Sequence, residues 1–330
     1  MDKYIIGIDI GGTKTAIVIA PYTEKPTCSE NFILDRNEFP TPLGSEAVSA
    51  VEKIISAIDE TLKKNNAVRE QISVIGISCG GPVDSKNGVI INPPNLYGWN
   101  NVPIVDLLSK EFDVKVKLQN DANACALAEW KFGAGAGSTN MVFLTMGTGM
   151  GAGLILNGKL YSGTNDMAGE IGHIRLSENG PVGFGKEGSF EGFCSGGGIA
   201  QIGRAKALEK LQIGKTVAYC HSYNELCTVT AKTVGDAAEA GDPTAIEVYK
   251  KVGRYLGKGI SILVDLLNPE VIVIGSIFQR SKNLLWSSTE QEIIAEVIGL
   301  NWSVCSVVPS KLGNNVGDYG AITVALYDEE

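Results

Sequence analysis

No stretch of this 330-residue chain approaches the roughly 20 consecutive apolar residues that a membrane helix needs. A membrane-spanning protein is therefore not expected. Basic charge is also scarce: the formal net charge is −9, which leaves no electrostatic footprint for nucleic acid or anionic lipid. No basic segment followed by an apolar core opens the chain, so no secretory signal is expected. The seven cysteines (28, 79, 125, 194, 220, 227 and 305) are odd in number, scattered, and form no CxxC pair. Buried free thiols in a reducing cytoplasm are the expectation. A Walker-type GxxxxGK[ST] loop is missing too, so a bound nucleotide has to be held by another phosphate-binding device.

Glycine, by contrast, is abundant. The 40 glycines cluster at 11–12, 80–81, 133–137, 147–153 and 180–198, which means special backbone geometry rather than a low-complexity tail. Two clusters share one design. Asp9-Ile-Gly-Gly-Thr13 follows the β-branched run Tyr4 to Asp9 and precedes Thr15 to Ala20. Thr145-Met-Gly-Thr-Gly149 follows Met141 to Met146 and precedes Leu154 to Leu156. Strand, tight Gly/Thr turn, strand is a hairpin whose exposed N–H groups can cradle phosphate oxygens. The first turn alone is weak evidence, because Gly-Gly turns are common; the second is stronger, since three glycines and two threonines over Thr145 to Gly151 exceed structural need. Together they point to a nucleotide held between two similar domains.

The length also favours two domains. A third strand is expected near Asn31 to Leu34, and apolar positions at Val48, Val51, Ile54, Ile55 and Ile58 predict a helix over Ser45 to Lys64. Strand Ser73 to Ser78, helix Val102 to Lys110, strand Val114 to Leu118 and an alanine-rich helix from Asp121 to Lys131 follow. Beyond the second hairpin, residues 161–198 read as glycine-rich loop. Helices are expected at about 198–211, 231–240 and 243–267, the last with Asp242 as N-cap and Pro243 at its first position. Strand Val271 to Ile274, a helix near 289–298, strand Ser303 to Val308 and a helix at about 318–327 complete an α/β chain. The repeated hairpin-plus-helix theme is an internal duplication.

Four constellations carry chemistry. Asp9 ends an apolar strand, where an unpaired carboxylate is costly. It can hold water on Mg²⁺ while Thr13 and the amides of Gly11 and Gly12 face phosphates. Asn120-Asp121 stands at a strand-to-helix junction, where Asp121 reads either as a simple N-cap or as a carboxylate kept ionised by the helix N-terminus. In the second reading it accepts a hydroxyl proton as a phosphoryl group arrives. Gly169-Glu-Ile-Gly-His173, with Glu191 further on, offers carboxylate and imidazole groups suited to sugar hydroxyls. A nucleoside against Gly275-Ser276, at the end of strand 271–274, fits the habit of ligands to collect beyond strand ends.

These residues resemble the ROK family of sugar kinases and repressors. The resemblance runs from Ile6 to about Ala325 through DIGGTK, GISCGGPVD, NLYGW, NDANACALAE, TMGTGMGAGLILNGKLYSG, AGEIGH, NPEVIVIG and GDYGAI, in the family's order. It implies a two-domain, actin-like and ribonuclease-H-like ATPase fold, expected here as residues 1–119 plus 310–330 and residues 120–309. It implies Asp121 as catalytic base. Gly81, Asn95, Asn120, Glu170, His173 and Glu191 would bind the hexose. Asp9, Gly11, Gly12, Thr13, Lys14, Gly147, Thr148, Gly149, Gly275 and Ser276 would hold ATP, with Mg²⁺ reached from Asp9 through water.

One departure is plain. The family's zinc site uses the histidine of GEIGH and three cysteines of a CxCGxxGC run, which here reads Val182-Gly-Phe-Gly-Lys-Glu-Gly-Ser189. One histidine cannot supply the four ligands of a structural ion, so no zinc is expected. Phe184, Phe190 and Phe193 are the candidates to order the loop instead. The family's further glycine after Gly275 is Ser276 here. The expected activity is phosphorylation of a hexose, most simply glucose, at the 6-hydroxyl with ATP, by a cytoplasmic homodimer. Fructose, mannose, allose, N-acetylglucosamine and N-acetylmannosamine are the alternative acceptors. A sugar-sensing repressor of the same family would carry a helix-turn-helix before the first hairpin, where only eight residues precede Asp9; a catalytically silent sugar-binding protein is the other rival.

Overall fold

The structure, a computed structural model, describes residues 2–23, 32–44 and 47–328. The chain separates into two compact units. Unit 1 comprises Met1–Thr139, Gly153–Ala168 and Lys311–Glu330, and unit 2 comprises Asn140–Ala152 and Gly169–Ser310. The helix that begins at Asp121 thus groups with unit 1, not with the second domain expected from residue 120 onward.

Unit 1 is built on a five-stranded sheet. Strands β1 (Tyr4–Ile10) and β2 (Lys14–Pro21) form the first hairpin, and β3 (Asp35–Pro40) pairs antiparallel with β2. Helix α1 (Ala47–Lys64) leads to β4 (Ile72–Cys79), which runs parallel to β1. Helix α2 (Ile104–Phe112) leads to β5 (Lys115–Asn120), parallel to β4, and α3 (Asp121–Phe132) follows at once.

Alternation along β1 sorts the core into two layers. Ile6, Ile8 and Ile10 share one cluster with Ile54, Ile58 and Leu62 of α1 and with Leu108 and Phe112 of α2. Ile5 faces the other, with Val18, Val74, Phe132, Tyr319 and Ile322. Trp99 is fully buried in the first layer and donates its indole N–H to the Pro42 carbonyl at 3.0 Å.

The third strand lies at 35–40 rather than at the expected 31–34, of which Asn31 falls outside the described residues. Its sequence, DRNEFP, is charged and alternates in burial. An apolar-run reading misses such an edge strand, which is held by its ladder to β2, with the Lys14–Glu38 ion pair crossing the two strands.

The second sheet is assembled in the same pattern. Strands β6 (Met141–Met146), β7 (Met150–Leu156) and β8 (Lys159–Leu160) precede a long irregular stretch, relieved by the short helix α4 (Phe190–Cys194). Helices α5 (Gly196–Gln212), α6 (Ala231–Glu239) and α7 (Pro243–Leu267) follow. Asp242 Oδ1 caps α7 by accepting from the amides of Thr244 and Ala245, both at 2.9 Å. Strand β9 (Val271–Ile274), helix α8 (Ile277–Glu296), strand β10 (Ser306–Pro309) and helix α9 (Val316–Leu326) end the chain. The sheet order β8-β7-β6-β9-β10 copies β3-β2-β1-β4-β5, which supports the duplication.

Helix α8 starts twelve residues before the expected 289, because it leaves β9 through Gly275 and Ser276 alone with no longer loop to announce it. Helix α9 belongs to unit 1 and packs so closely on its sheet that a Cβ at Gly76 would lie 2.2 Å from the Ala321 carbonyl oxygen. Among the described cysteines all are free; Cys79, Cys194 and Cys220 are buried, whereas Cys227 is exposed. Cys28 lies outside the described residues.

Candidate functional site

Unit 1 gathers one set of predicted residues. The first turn is closed by the Gly11 amide donating to Lys14 O at 2.9 Å, and the Thr41 hydroxyl donates to Gly11 O at 2.7 Å. Asn95 packs against this turn so tightly that a Cβ at Gly12 would sit 2.8 Å from Asn95 Cβ. The first Gly/Thr turn and Asn95 are therefore one structural piece. Asp9 stands opposite Ser78 in the β1–β4 register. Its carboxyl is pushed up from 3.8 to about 6, first by burial and then by the charges of Asp318 and Asp121, with Ser78 and Arg36 opposing. Arg36 itself is committed to Asp318 at 2.8 Å and to Glu38 at 2.7 Å. Lys14 pairs with Glu38 at 2.6 Å and is two-thirds exposed, so its ammonium is placed in the β2–β3 ion-pair strip.

At the β5–α3 junction the capping role falls on Asn120, not Asp121. Asn120 Oδ1 accepts the Ala122 amide at 2.9 Å. Its amide nitrogen abuts the Gly80-Gly81 turn, 2.7 Å from where a Gly81 Cβ would stand. Asp121 occupies the first helical position and is exposed. Its Oδ1 also accepts the Ala122 amide, at 2.8 Å, while its Oδ2 lies 4.0 Å from a Cβ position on Gly80. A carboxylate at a helix N-terminus is stabilised as the anion, and this one is oriented by its own helix.

Unit 2 gathers the rest. Glu191, in the first turn of α4, accepts the Met150 amide on Oε2 at 2.9 Å. A Cβ at Gly149 would lie 2.8 Å from that oxygen, so the second Gly/Thr turn and a proposed sugar ligand also touch. Glu170 is largely exposed, yet desolvation raises its carboxyl, with Glu191 adding to the rise and His173 opposing it. The His173 ring meets the Phe184 ring edge-on at 5.2 Å, and its carbonyl accepts Lys186 Nζ at 2.6 Å.

The loop around His173 is organised without metal donors at the three altered positions. Val182 exchanges two backbone hydrogen bonds with the Gln201 amide, Phe184 is two-thirds exposed, and Ser189 caps α4. Phe190 and Phe193 are fully buried, Phe193 stacked on Tyr255. Among the described residues no group of three or more His, Cys, Asp or Glu side chains could hold a metal ion.

Beside the second turn opens a cleft of about 960 Å³ lined by Gly147, Thr148 and Ser276 together with Arg204, Lys232 and Arg280. The first residues of three helices border it: Gly196 of α5, Ala231 of α6 and Ile277 of α8. Gly196 N donates to Gly147 O at 2.8 Å, which joins the turn to the start of α5. Asp236 and Glu239 also line the cleft, and Asp236 engages Lys232 at 2.6 Å, so the helix N-termini with Arg204 and Arg280 are what suit a polyanionic ligand. Gly275 backs the cleft against Phe143. The cations escaped sequence reasoning because they sit 28 to 76 residues apart on separate helices; Ser195-Gly-Gly-Gly198, an N-cap followed by bare amides, was the one local signal.

Residues 5–327 match the ROK family. The chain is 34% identical to a glucokinase from Halalkalibacterium halodurans over 97% of its own length and 94% of the relative's. A ROK glucokinase from Streptomyces griseus, solved with glucose and AMPPNP, superposes with a TM-score of 0.75 at 27% identity, covering 98% of this chain and 99% of that one. A xylose repressor from Caldicellulosiruptor bescii is 28% identical over 82% of this chain and 65% of its own. With its two repeated sheets, the chain has the actin-like ATPase fold of these sugar kinases and belongs to the ROK family.

Proposed function

We propose that this sugar kinase phosphorylates a hexose, most simply glucose, at the 6-hydroxyl, with Asp121 as general base. The observation that carries the reading is the Asp121 carboxylate, exposed at the start of α3 with Oδ1 fixed by the Ala122 amide. A sugar hydroxyl is too weak an acid to be ionised beforehand. Asp121 therefore accepts its proton during transfer, at a helix end that keeps the carboxylate anionic until then. Asn120, Asn95 and Gly81, and in unit 2 Glu170, His173 and Glu191, are the hydrogen-bonding set for the other hydroxyls. Gly11, Gly12, Thr13, Gly147, Thr148 and Gly149 offer amides and hydroxyls to phosphate oxygens, and Ser276, backed by Gly275, faces the nucleoside.

Mg²⁺, when bound, supplies charge neutralisation on the phosphate oxygens. The residues fit it: Asp9, buried near the charges of Asp318 and Asp121 and only partly relieved by Ser78 and Arg36, is a carboxylate that a hydrated divalent cation would stabilise. Zinc does not fit the loop around His173, and elemental analysis finding one zinc per chain would overturn that. No helix among the described residues is long and apolar enough to cross a membrane; we read the protein as cytoplasmic. Exposed Leu266, Ile294, Ile298 and Leu300 in unit 2 support a homodimer, which light scattering would test.

A coupled ADP-release assay over glucose, fructose, mannose, allose and the two N-acetyl sugars tests the reading. Sugar-dependent release fastest with glucose is expected, with ³¹P NMR placing the phosphate on the 6-oxygen. Release with none of them would favour a non-catalytic sensor, the reading suggested by the repressor relative and opposed by the retention of Asp9, Asp121 and both phosphate turns.

A further inference from the structure

A second cavity lies in unit 1, and its lining begins at Pro82, two residues after the Gly80 that neighbours the Asp121 carboxylate. It encloses about 440 Å³ between residues 82–91 and residues 164–167, within the roughly 300–1,000 Å³ that small-molecule sites span. Three consecutive residues lead to it. Gly80 neighbours Asp121 Oδ2, Gly81 neighbours Asn120 Nδ2, and Pro82 lines the cavity. From Gly80 to Pro82 the chain covers at most about 8 Å, which keeps this wall of the cavity within about one sugar ring of the acceptor residues.

The cavity is a built feature. Its two walls are joined by the Ser85 amide donating to Asp166 Oδ2 at 2.7 Å. Asp166 adopts φ of 60°, the left-handed conformation that Asp enters more readily than most non-glycine residues. On the opposite wall Asp84 is locked by Asn87, whose backbone and side-chain amides donate to its two oxygens at 2.9 and 2.7 Å. Thr164 and Asn165 remain, with side chains that make no hydrogen bond to the described residues. Ile91 and Met167 add apolar surface, 38% and 42% exposed.

Hydroxyl, amide and carboxylate groups beside a small apolar patch match a sugar, which presents hydroxyl edges and a C–H face. Asp84 and Asp166 outnumber Lys86, so the lining repels an anion and favours a neutral polyol.

We propose that this cavity is a second acceptor subsite, which takes the additional ring of a disaccharide or glycoside whose first hexose is phosphorylated beside Asp121. The proposal rests on the assignment of Asp121 as base and extends the acceptor beyond a single hexose. Its test compares glucose with cellobiose, maltose, sucrose and N-acetylglucosamine in the ADP-release assay. Wild-type enzyme and two variants at the exposed Asn165 are used: Asn165→Ala, which removes the amide, and Asn165→Trp, which fills the cavity.

In wild type, at least one disaccharide should reach kcat/KM within about tenfold of glucose. Asn165→Trp should then lower that value by more than about tenfold while leaving glucose within twofold, and Asn165→Ala should raise the disaccharide KM by about fivefold, the worth of one hydrogen bond. Disaccharides all below about 1% of glucose, or a Trp variant that lowers both acceptors alike, would overturn the subsite. So would use of N-acetylglucosamine without any disaccharide. If no acceptor is phosphorylated at all, the assignment of the base fails instead. The subsite is then read from thermal shift: cellobiose should stabilise wild type but not Asn165→Trp, and equal shifts would overturn it.

Discussion

Ser276 holds a backbone conformation that its side chain does not favour, and that gives a quantitative test of the nucleotide cleft. At φ 56° and ψ −111° it occupies a region that glycine enters freely and other residues enter at a cost of about 1–3 kcal/mol. The residue makes no side-chain cap to α8, and its hydroxyl is offered only a long contact, 3.5 Å, from Arg280. Nothing in the fold therefore repays the strain, whereas the hydroxyl lines the cleft. Ser276→Gly releases the strain but adds unfolded-chain entropy worth about 0.4–1 kcal/mol, so the net gain is about 1 kcal/mol. That corresponds to a melting-temperature rise of about 2–4 °C for a unit of this size. Ser276→Ala keeps a Cβ and hence the strain, and should not gain. Both variants lose the hydroxyl and should raise the KM for ATP by about fivefold, one hydrogen bond's worth. Differential scanning fluorimetry without nucleotide, followed by ATP titration in the ADP-release assay, reads both effects. Equal melting temperatures for the Gly and Ala variants would refute backbone strain at 276; an unchanged KM in both would refute the hydroxyl's role.

Further outcomes follow from the same geometry. The Asp9 carboxyl, raised from 3.8 to about 6, favours the protonated native state. Its contribution is complete below pH 4 and is lost as pH rises through about 6. In magnesium-free buffer Asp9→Asn should match wild type at pH 4 and exceed it at pH 7 by up to about 3 kcal/mol in urea unfolding, while losing activity with MgATP; a difference independent of pH would contradict the burial argument. Glu129 is fully buried and accepts the amides of Ala134 at 2.7 Å, Leu312 at 2.9 Å and Lys311 at 3.3 Å. Glu129→Ala strands those donors and should cost about 3 kcal/mol or more, read by urea unfolding, with Glu129→Gln less damaging. Gly149→Ala pushes a methyl against Glu191 Oε2 and should raise the KM for sugar by about tenfold through displacement of that carboxylate; an unchanged sugar KM would separate Glu191 from the acceptor.

Much of this architecture was legible because local rules and tertiary packing agree. The hairpin strands, the Asp242-Pro243 start of α7 and strand β9 all carry apolar periodicity or capping chemistry that the fold uses directly. The edge strand 35–40 and the start of α8 were not legible. The first is charged, and the second follows its strand after only Gly275 and a strained Ser276. The site divided in the same way. Asp9, both Gly/Thr turns and the Asn120-Asp121 pair stand out within a few residues of sequence, although only the structure shows that Asn120 is the cap and leaves Asp121 the exposed carboxylate. Arg204, Lys232 and Arg280 converge on one cleft from three helices, and no short-range pattern announces such a meeting. Lys14, a conspicuous lysine beside the first Gly/Thr turn, shows what sequence leaves out: its exposed ammonium pairs with Glu38 on the neighbouring strand.

The most direct test of the central claim is Asp121→Asn, measured for glucose binding by calorimetry and for turnover by ADP release. The variant keeps the size of the side chain but cannot accept the hydroxyl proton. Glucose affinity should stay within a few-fold of wild type, and kcat should fall by about 10²–10⁴. Turnover close to wild type would contradict the assignment of Asp121 as the base.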